Sequence, residues 1–146
     1  SSDNLEEFFE PINKYADYAA RKNVSILLET LLPSDDLRYF LEKINHPAVQ
    51  CVFDTGNRVQ DSKSLTDEIK LLGQHIKHVH IKDKKVNGPN VMLGEGDVDF
   101  LACLKSLKDI DYDGQFILET PYKSSPLAEA KKNLLFIQET LKSVEV

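Results

Sequence analysis

Ile76-Lys77-His78-Val79-His80-Ile81-Lys82-Asp83 alternates aliphatic residues with charged or imidazole ones along a run of β-forming types. In a strand, successive side chains point to opposite faces, so Val79 and Ile81 share one face while His78, His80 and Lys82 share the other. The aliphatic face suits packing against helices. The polar face is not ordinary core, because burying charge without a partner is costly. A strand of this kind separates a hydrophobic layer from a site.

The same design recurs on both sides of it. Val24-Ser25-Ile26-Leu27-Leu28-Glu29 is short and β-rich, and Pro33-Ser34-Asp35-Asp36 then starts a helix carrying Leu37, Phe40, Leu41 and Ile44. Val49-Gln50-Cys51-Val52-Phe53-Asp54 is a second strand, with a turn expected at Thr55-Gly56-Asn57 and a helix around Leu65, Ile69 and Leu72. Beyond the opening strand, a polar loop, Asn87-Gly88-Pro89-Asn90, and the Gly94-Glu95-Gly96 turn lead to a helix capped by Asp99 with Phe100, Leu101, Leu104 and Leu107. The last strand, Gln115-Phe116-Ile117-Leu118-Glu119, precedes Ser124-Ser125-Pro126 and a helix through Leu134, Ile137 and Leu141, with Pro126 suited to its first turn. In front of all four units, Leu5, Phe8, Phe9, Ile12, Tyr15, Ala16 and Ala19 recur at helical spacing, with Ser2 and Asp3 as cap candidates. Pro11 is expected to kink that helix or delay its start. Strand–helix alternation of this regularity implies an α/β fold of parallel (β/α) repeats. No glycine-rich nucleotide fingerprint follows any strand, which removes the main support for a doubly wound dinucleotide fold.

With 146 residues, 41% of them apolar, the chain has enough material for a single domain, residues 1–146. The net charge of −6 is dispersed, and no basic face recommends nucleic acid or an anionic membrane surface. No apolar run approaches the roughly 20 residues of a membrane span, and no signal-peptide pattern opens the chain, so a cytoplasmic setting is expected. Cys51 and Cys103 fall inside expected elements without metal-type spacing and read as reduced core residues.

Each strand is apolar until its carboxyl end and then presents a ligand-type residue: Glu29, Asp54, His80 and Glu119. In parallel α/β folds the site lies beyond those ends, so four such residues are expected to converge on one centre. Three carboxylates and an imidazole suit Mn²⁺, Mg²⁺ or Zn²⁺. Lys82 then stands beside the metal as a point charge for a substrate oxygen or phosphate, and Lys85 is a second such cation. Asp83 either caps the following loop or supports His80 or Lys82.

The ordered stretches ILLET, VFDTGN, HVHIKD, GEGDVDF and YDGQFILET resemble the xylose-isomerase-like TIM barrels, specifically the sugar phosphate isomerase/epimerase group. The resemblance implies one divalent metal held by Glu29, Asp54, His80 and Glu119, with Glu29 and Glu119 also moving the substrate proton. It implies a metal-dependent isomerase or epimerase of a sugar or sugar phosphate, acting through a metal-stabilised enediolate. Many members carry a histidine three residues after the metal-binding aspartate; here Asn57 takes that place, so the substrate contact there becomes an amide. Endonuclease IV, a three-zinc DNA-repair relative, has an Asp and a His where this chain has Gly88 and Asn90, which argues against a trinuclear site. A whole (β/α)₈ barrel takes about 250 residues, so the four strands match the C-terminal half of a TIM barrel. The chain is therefore expected to be a fragment, since Ser1 replaces an initiator Met, or to join a second copy or an N-terminal half-barrel partner. A sugar-acid or inosose dehydratase, and a catalytically inert half-barrel interaction module, stand as alternatives.

Overall fold

The computed structural model describes residues 6–122 and 124–145. The expected cap residues Ser2 and Asp3 and the first helical position, Leu5, lie outside them. Helix α1 (Glu6–Arg21) is followed by β1 (Ile26–Leu28), α2 (Ser34–Ile44), β2 (Val49–Asp54), α3 (Thr55–Val59) and α4 (Leu65–Leu72). Then come β3 (Ile76–Ile81), the short β4 (Asp83–Lys84) and β5 (Asn90–Val91), α5 (Phe100–Asp109), β6 (Gln115–Leu118) and α6 (Pro126–Glu145). The main sheet has the order β1-β2-β3-β6, and every pairing is parallel. Four parallel strands alternating with helices make the half barrel that the repeats imply.

The core lies on one side of this sheet. Ile26, Leu28, Cys51, Phe53, Val79, Ile81, Phe116 and Leu118 face the helices and join Leu37, Phe40, Leu41, Ile69, Leu72, Leu104 and Leu107 in one cluster. Val79 is wholly inaccessible and Ile81 nearly so, as the alternation requires. Their burial fixes the register of β3 and sends His78, His80 and Lys82 to the opposite face. Asp54 pairs with His80 across β2 and β3, so both emerge at the same level.

Local chemistry sets most boundaries. Ser64 caps α4 by accepting from the Asp67 amide at 3.2 Å, and Asp99 caps α5 through the Ala102 amide at 2.9 Å. Asn45 ends α2 in the left-handed conformation, where asparagine is tolerated. Some boundaries differ from the sequence reading. The expected turn at 55–57 is the first part of helix α3, because the Asp54 carboxylate accepts from the Asn57 amide at 2.8 Å and caps a helix. The polar loop at 87–90 is the tip of a small hairpin in which Asp83 pairs with Val91 and Lys84 with Asn90. Helix α1 runs through Pro11, so the proline does not delay its start. Among the described residues, no helix is long and apolar enough to cross a membrane.

Candidate metal centre

Glu29 follows β1, Asp54 ends β2, His80 is the fifth residue of β3, and Glu119 follows β6. One ligand atom from each lies within 4.8 Å of the others. His80 Nδ1 is 3.2 Å from Glu119 Oε2, 3.7 Å from Glu29 Oε1 and 3.9 Å from Asp54 Oδ2. Although three carboxylates surround it, this buried nitrogen forms no hydrogen bond. A buried nitrogen without a partner is expensive unless something else satisfies it.

A shared cation fits that arrangement. Two donors each about 2.1 Å from one ion stand about 3.0 Å apart at a right angle and about 4.2 Å apart when opposed. The three His80 separations fall between those limits, and the widest pair needs a side-chain shift of well under an ångström. One nitrogen and three carboxylates form the mixed donor set of Mg²⁺, Mn²⁺ or Zn²⁺. The four donors also differ in access: the Asp54 and His80 side chains are 3% and 19% exposed, while those of Glu29 and Glu119 are 45% and 46% exposed. The outer glutamates thus keep carboxylate surface open to the mouth of the sheet.

Lys82 lies among these acids and is buried. Its Nζ donates to Asp54 Oδ2 at 3.2 Å and to Asn57 Oδ1 at 3.3 Å, and pairs closely with Glu119 Oε1. Burial works against the ammonium, but the Glu119 hydrogen bond and the Asp54 charge outweigh it and hold its pKa above the ordinary lysine value. Reciprocally, the hydrogen bond from Lys82 outweighs burial and, with the charges of Lys82 and His80, holds the Glu119 carboxyl below its usual range.

Asn57 thus sits beside the cluster through Lys82. Lys85 is joined instead to the neighbouring loop, pairing with Asp97 at 3.3 Å and donating to the Gly96 carbonyl. Asp83 is completely buried and organises the turn after β3: it accepts from the amides of Lys84, Gly94, Gly96 and Val98. It caps the loop rather than supporting His80 or Lys82. A Cβ on Gly96 would fall onto that carboxylate, which accounts for the second glycine of Gly94-Glu95-Gly96. Glu95 pairs with Lys132 on α6 at 3.6 Å, away from the four donors. Thr55, to which sequence reasoning gave no role, grips the backbone of Lys82: its hydroxyl accepts from the Lys82 amide at 3.0 Å and donates to the Lys82 carbonyl at 2.7 Å. A hydroxyl directly after a ligand-type aspartate was the available signal.

Comparison with known proteins agrees with the fold. A family model described as xylose isomerase-like TIM barrel matches residues 1–140. An L-ribulose-5-phosphate 3-epimerase of Salmonella paratyphi A is 31% identical over 134 residues, covering 86% of this chain and 47% of the relative. An inosose dehydratase of Clostridium perfringens is 25% identical over 156 aligned residues, covering 89% of this chain and 52% of the relative. The solved structure of an L-ribulose 3-epimerase superposes with a TM-score of 0.88 at 19% identity, covering 99% of this chain and 56% of that one. The chain spans about half the length of the curated relatives it matches.

Proposed function

This chain belongs to the xylose isomerase-like TIM-barrel family, and from that premise we propose that it serves a sugar or sugar phosphate epimerase or isomerase dependent on a divalent metal. The observation that carries the reading is the convergence of Glu29, Asp54, His80 and Glu119 within 4.8 Å at one mouth of the sheet. These four residues hold the cation. When bound, the cation supplies Lewis-acid polarisation of a substrate carbonyl, which acidifies the neighbouring C–H bond.

The chain's own residues divide the remaining work by their exposure. Asp54 and His80, closed off inside the sheet, serve as ligands only. Glu29 and Glu119 stand beyond β1 and β6, on opposite sides of that pair, with surface free to meet a sugar. One takes the proton from the carbon next to the carbonyl, leaving the electron pair in an enediolate. The other returns a proton to the opposite face, which inverts the carbon. The hydrogen bond from Lys82 holds Glu119 in its ionised form. Asn57 and Lys85 are the groups we assign to more distant substrate oxygens.

Closure of the mouth belongs to a second four-stranded unit, from an N-terminal half barrel or another copy. Within the described residues β1 and β6 have one strand neighbour each, and Ile117 on β6 is 39% exposed. Parallel sheets are rarely stable with one face open.

The test is solvent exchange. Ketoses and ketose phosphates are incubated in D₂O with Mn²⁺ or Mg²⁺, and deuterium entry at the carbon next to the carbonyl is followed by NMR. Exchange is expected to fall at least about a thousandfold in Glu29→Gln and Glu119→Gln, the scale of losing a general base. Undiminished exchange in both variants refutes the assignment. Similarity to an inosose dehydratase favours a second reading, in which the same proton abstraction is followed by loss of the β-hydroxyl as water. A product lighter by one water identifies that course.

A further inference from the structure

We infer that Lys82 sets the charge of the metal centre: its ammonium, enclosed by Asp54, Asn57 and Glu119, brings the site to a net charge matched by one divalent cation and biases it against trivalent ones. The inference rests on reading the four-residue cluster as a metal centre.

Four consecutive residues act on this one lysine. Asp54 and Asn57 accept from Nζ at 3.2 and 3.3 Å, and Thr55 holds the Lys82 amide and carbonyl. Gly56 gives room to the aliphatic stem, since a Cβ there would stand 2.5 Å from Lys82 Cγ and 2.8 Å from Cδ. From the other side Glu119 completes the enclosure. An ammonium has three N–H donors, and Asp54, Asn57 and Glu119 are three acceptors. None is left over for a sugar hydroxyl or phosphate, and Lys82 is only 6% exposed. The residue is therefore built into the site rather than offered to substrate.

The consequence is a matter of charge. Three carboxylates, one ammonium and a neutral ligating imidazole sum to −2, which one divalent ion neutralises. Without Lys82 the sum is −3. Repulsion between Nζ and the ion grows in proportion to the ion's charge. Deleting the ammonium therefore favours a trivalent ion one and a half times as strongly, in free energy, as a divalent ion in the same place. If Mn²⁺ tightens about tenfold, Tb³⁺ tightens about thirtyfold, and their affinity ratio shifts about threefold.

Calorimetric titration of the purified, metal-free protein with MnCl₂ and separately with TbCl₃ measures that ratio. Lys82→Met is expected to raise the Tb³⁺/Mn²⁺ affinity ratio about threefold or more. Lys82→Arg, which keeps the charge, leaves it unchanged. Gly56→Ala, which pushes the stem aside without touching a ligand, moves it in the direction of Lys82→Met and carries the test alone if that variant fails to fold. Because the readout is a ratio between ions, a change that weakens both equally cancels from it, and Lys82→Arg reports any loosening that does not. An unmoved ratio in Lys82→Met and Gly56→Ala, with Mn²⁺ still bound by the wild type, overturns the inference alone. A shift in Lys82→Arg equal to that in Lys82→Met does the same. Failure of the wild-type protein to bind Mn²⁺ overturns the metal-centre reading and this inference with it.

Discussion

Replacement of Asp83 by alanine is the sharpest test of how the mouth of the sheet is held in shape. The carboxylate is fully buried and accepts four amide hydrogens, from Lys84 at 2.9 Å, Gly94 at 2.9 Å, Gly96 at 2.8 Å and Val98 at 3.3 Å. Alanine offers none of them an acceptor. The Lys84 amide is adjacent in sequence and can turn to water, which leaves three donors stranded. At about 1.5 kcal/mol for each of the two short bonds and about 1 kcal/mol for the long one, the loss is about 4 kcal/mol. That is a large part of the ~5–15 kcal/mol stability of an ordinary domain. With a urea m-value of ~1.5 kcal/mol/M, the unfolding midpoint followed by far-UV circular dichroism falls by roughly 2–3 M. Asp83→Asn keeps one acceptor and turns an N–H toward another donor, so its loss is about half as large. Gly96→Ala, which drives a methyl into the same carboxylate, shares the phenotype. A loss below about 1 kcal/mol for Asp83→Ala would show that the loop after β3 finds its acceptors elsewhere.

Two further outcomes follow from the site and the core. Mn²⁺ at a hundred times its dissociation constant stabilises the protein by about 2.7 kcal/mol, seen as a rise in melting temperature that EDTA reverses and that His80→Ala abolishes; a rise that survives His80→Ala places the ion elsewhere. Burial pushes the Cys51 and Cys103 thiols up to about 12 from 9.0. Because these folded-state values are raised, their stabilising contribution is complete below pH 9 and is lost as the pH climbs toward 12. At pH 8 the thiolate fraction is about one in ten thousand, so iodoacetamide labels neither cysteine until urea unfolds the chain; rapid labelling of the folded protein contradicts that burial.

The strands and their inward residues were legible because alternation is a two-residue pattern that survives in single-sequence form: His80 and Lys82 oppose Val79 and Ile81, and each strand end carries a ligand-type side chain. The cap at Asp99 was equally local. Helix α3 was not legible, since five residues containing Gly56 show no helical periodicity and the cap comes from the last residue of a strand. The β4 and β5 pair is two residues a side, too short for any pattern. The first strand reads as six residues but pairs over three, because Val24, Ser25 and Glu29 have no partner on β2. The surroundings of Lys82 were not legible: its acceptors come from positions 54, 57 and 119, a meeting set by tertiary structure. Arg58 was invisible for the same reason: its guanidinium is buried against Ser34 and Glu68, at 2.8 Å from each.

The sheet also grades its donors by stiffness. Asp54 and His80 stand side by side on β2 and β3, each of which is laddered to a neighbour on both sides, whereas Glu29 and Glu119 hang beyond the two outermost strands, one of them only three residues long. In the metal centre proposed above, an ion would meet the two exposed glutamates first and then be seated by the stiff Asp54–His80 pair behind them. Its exchange would call for movement of the outer arms and leave the sheet that seats it intact.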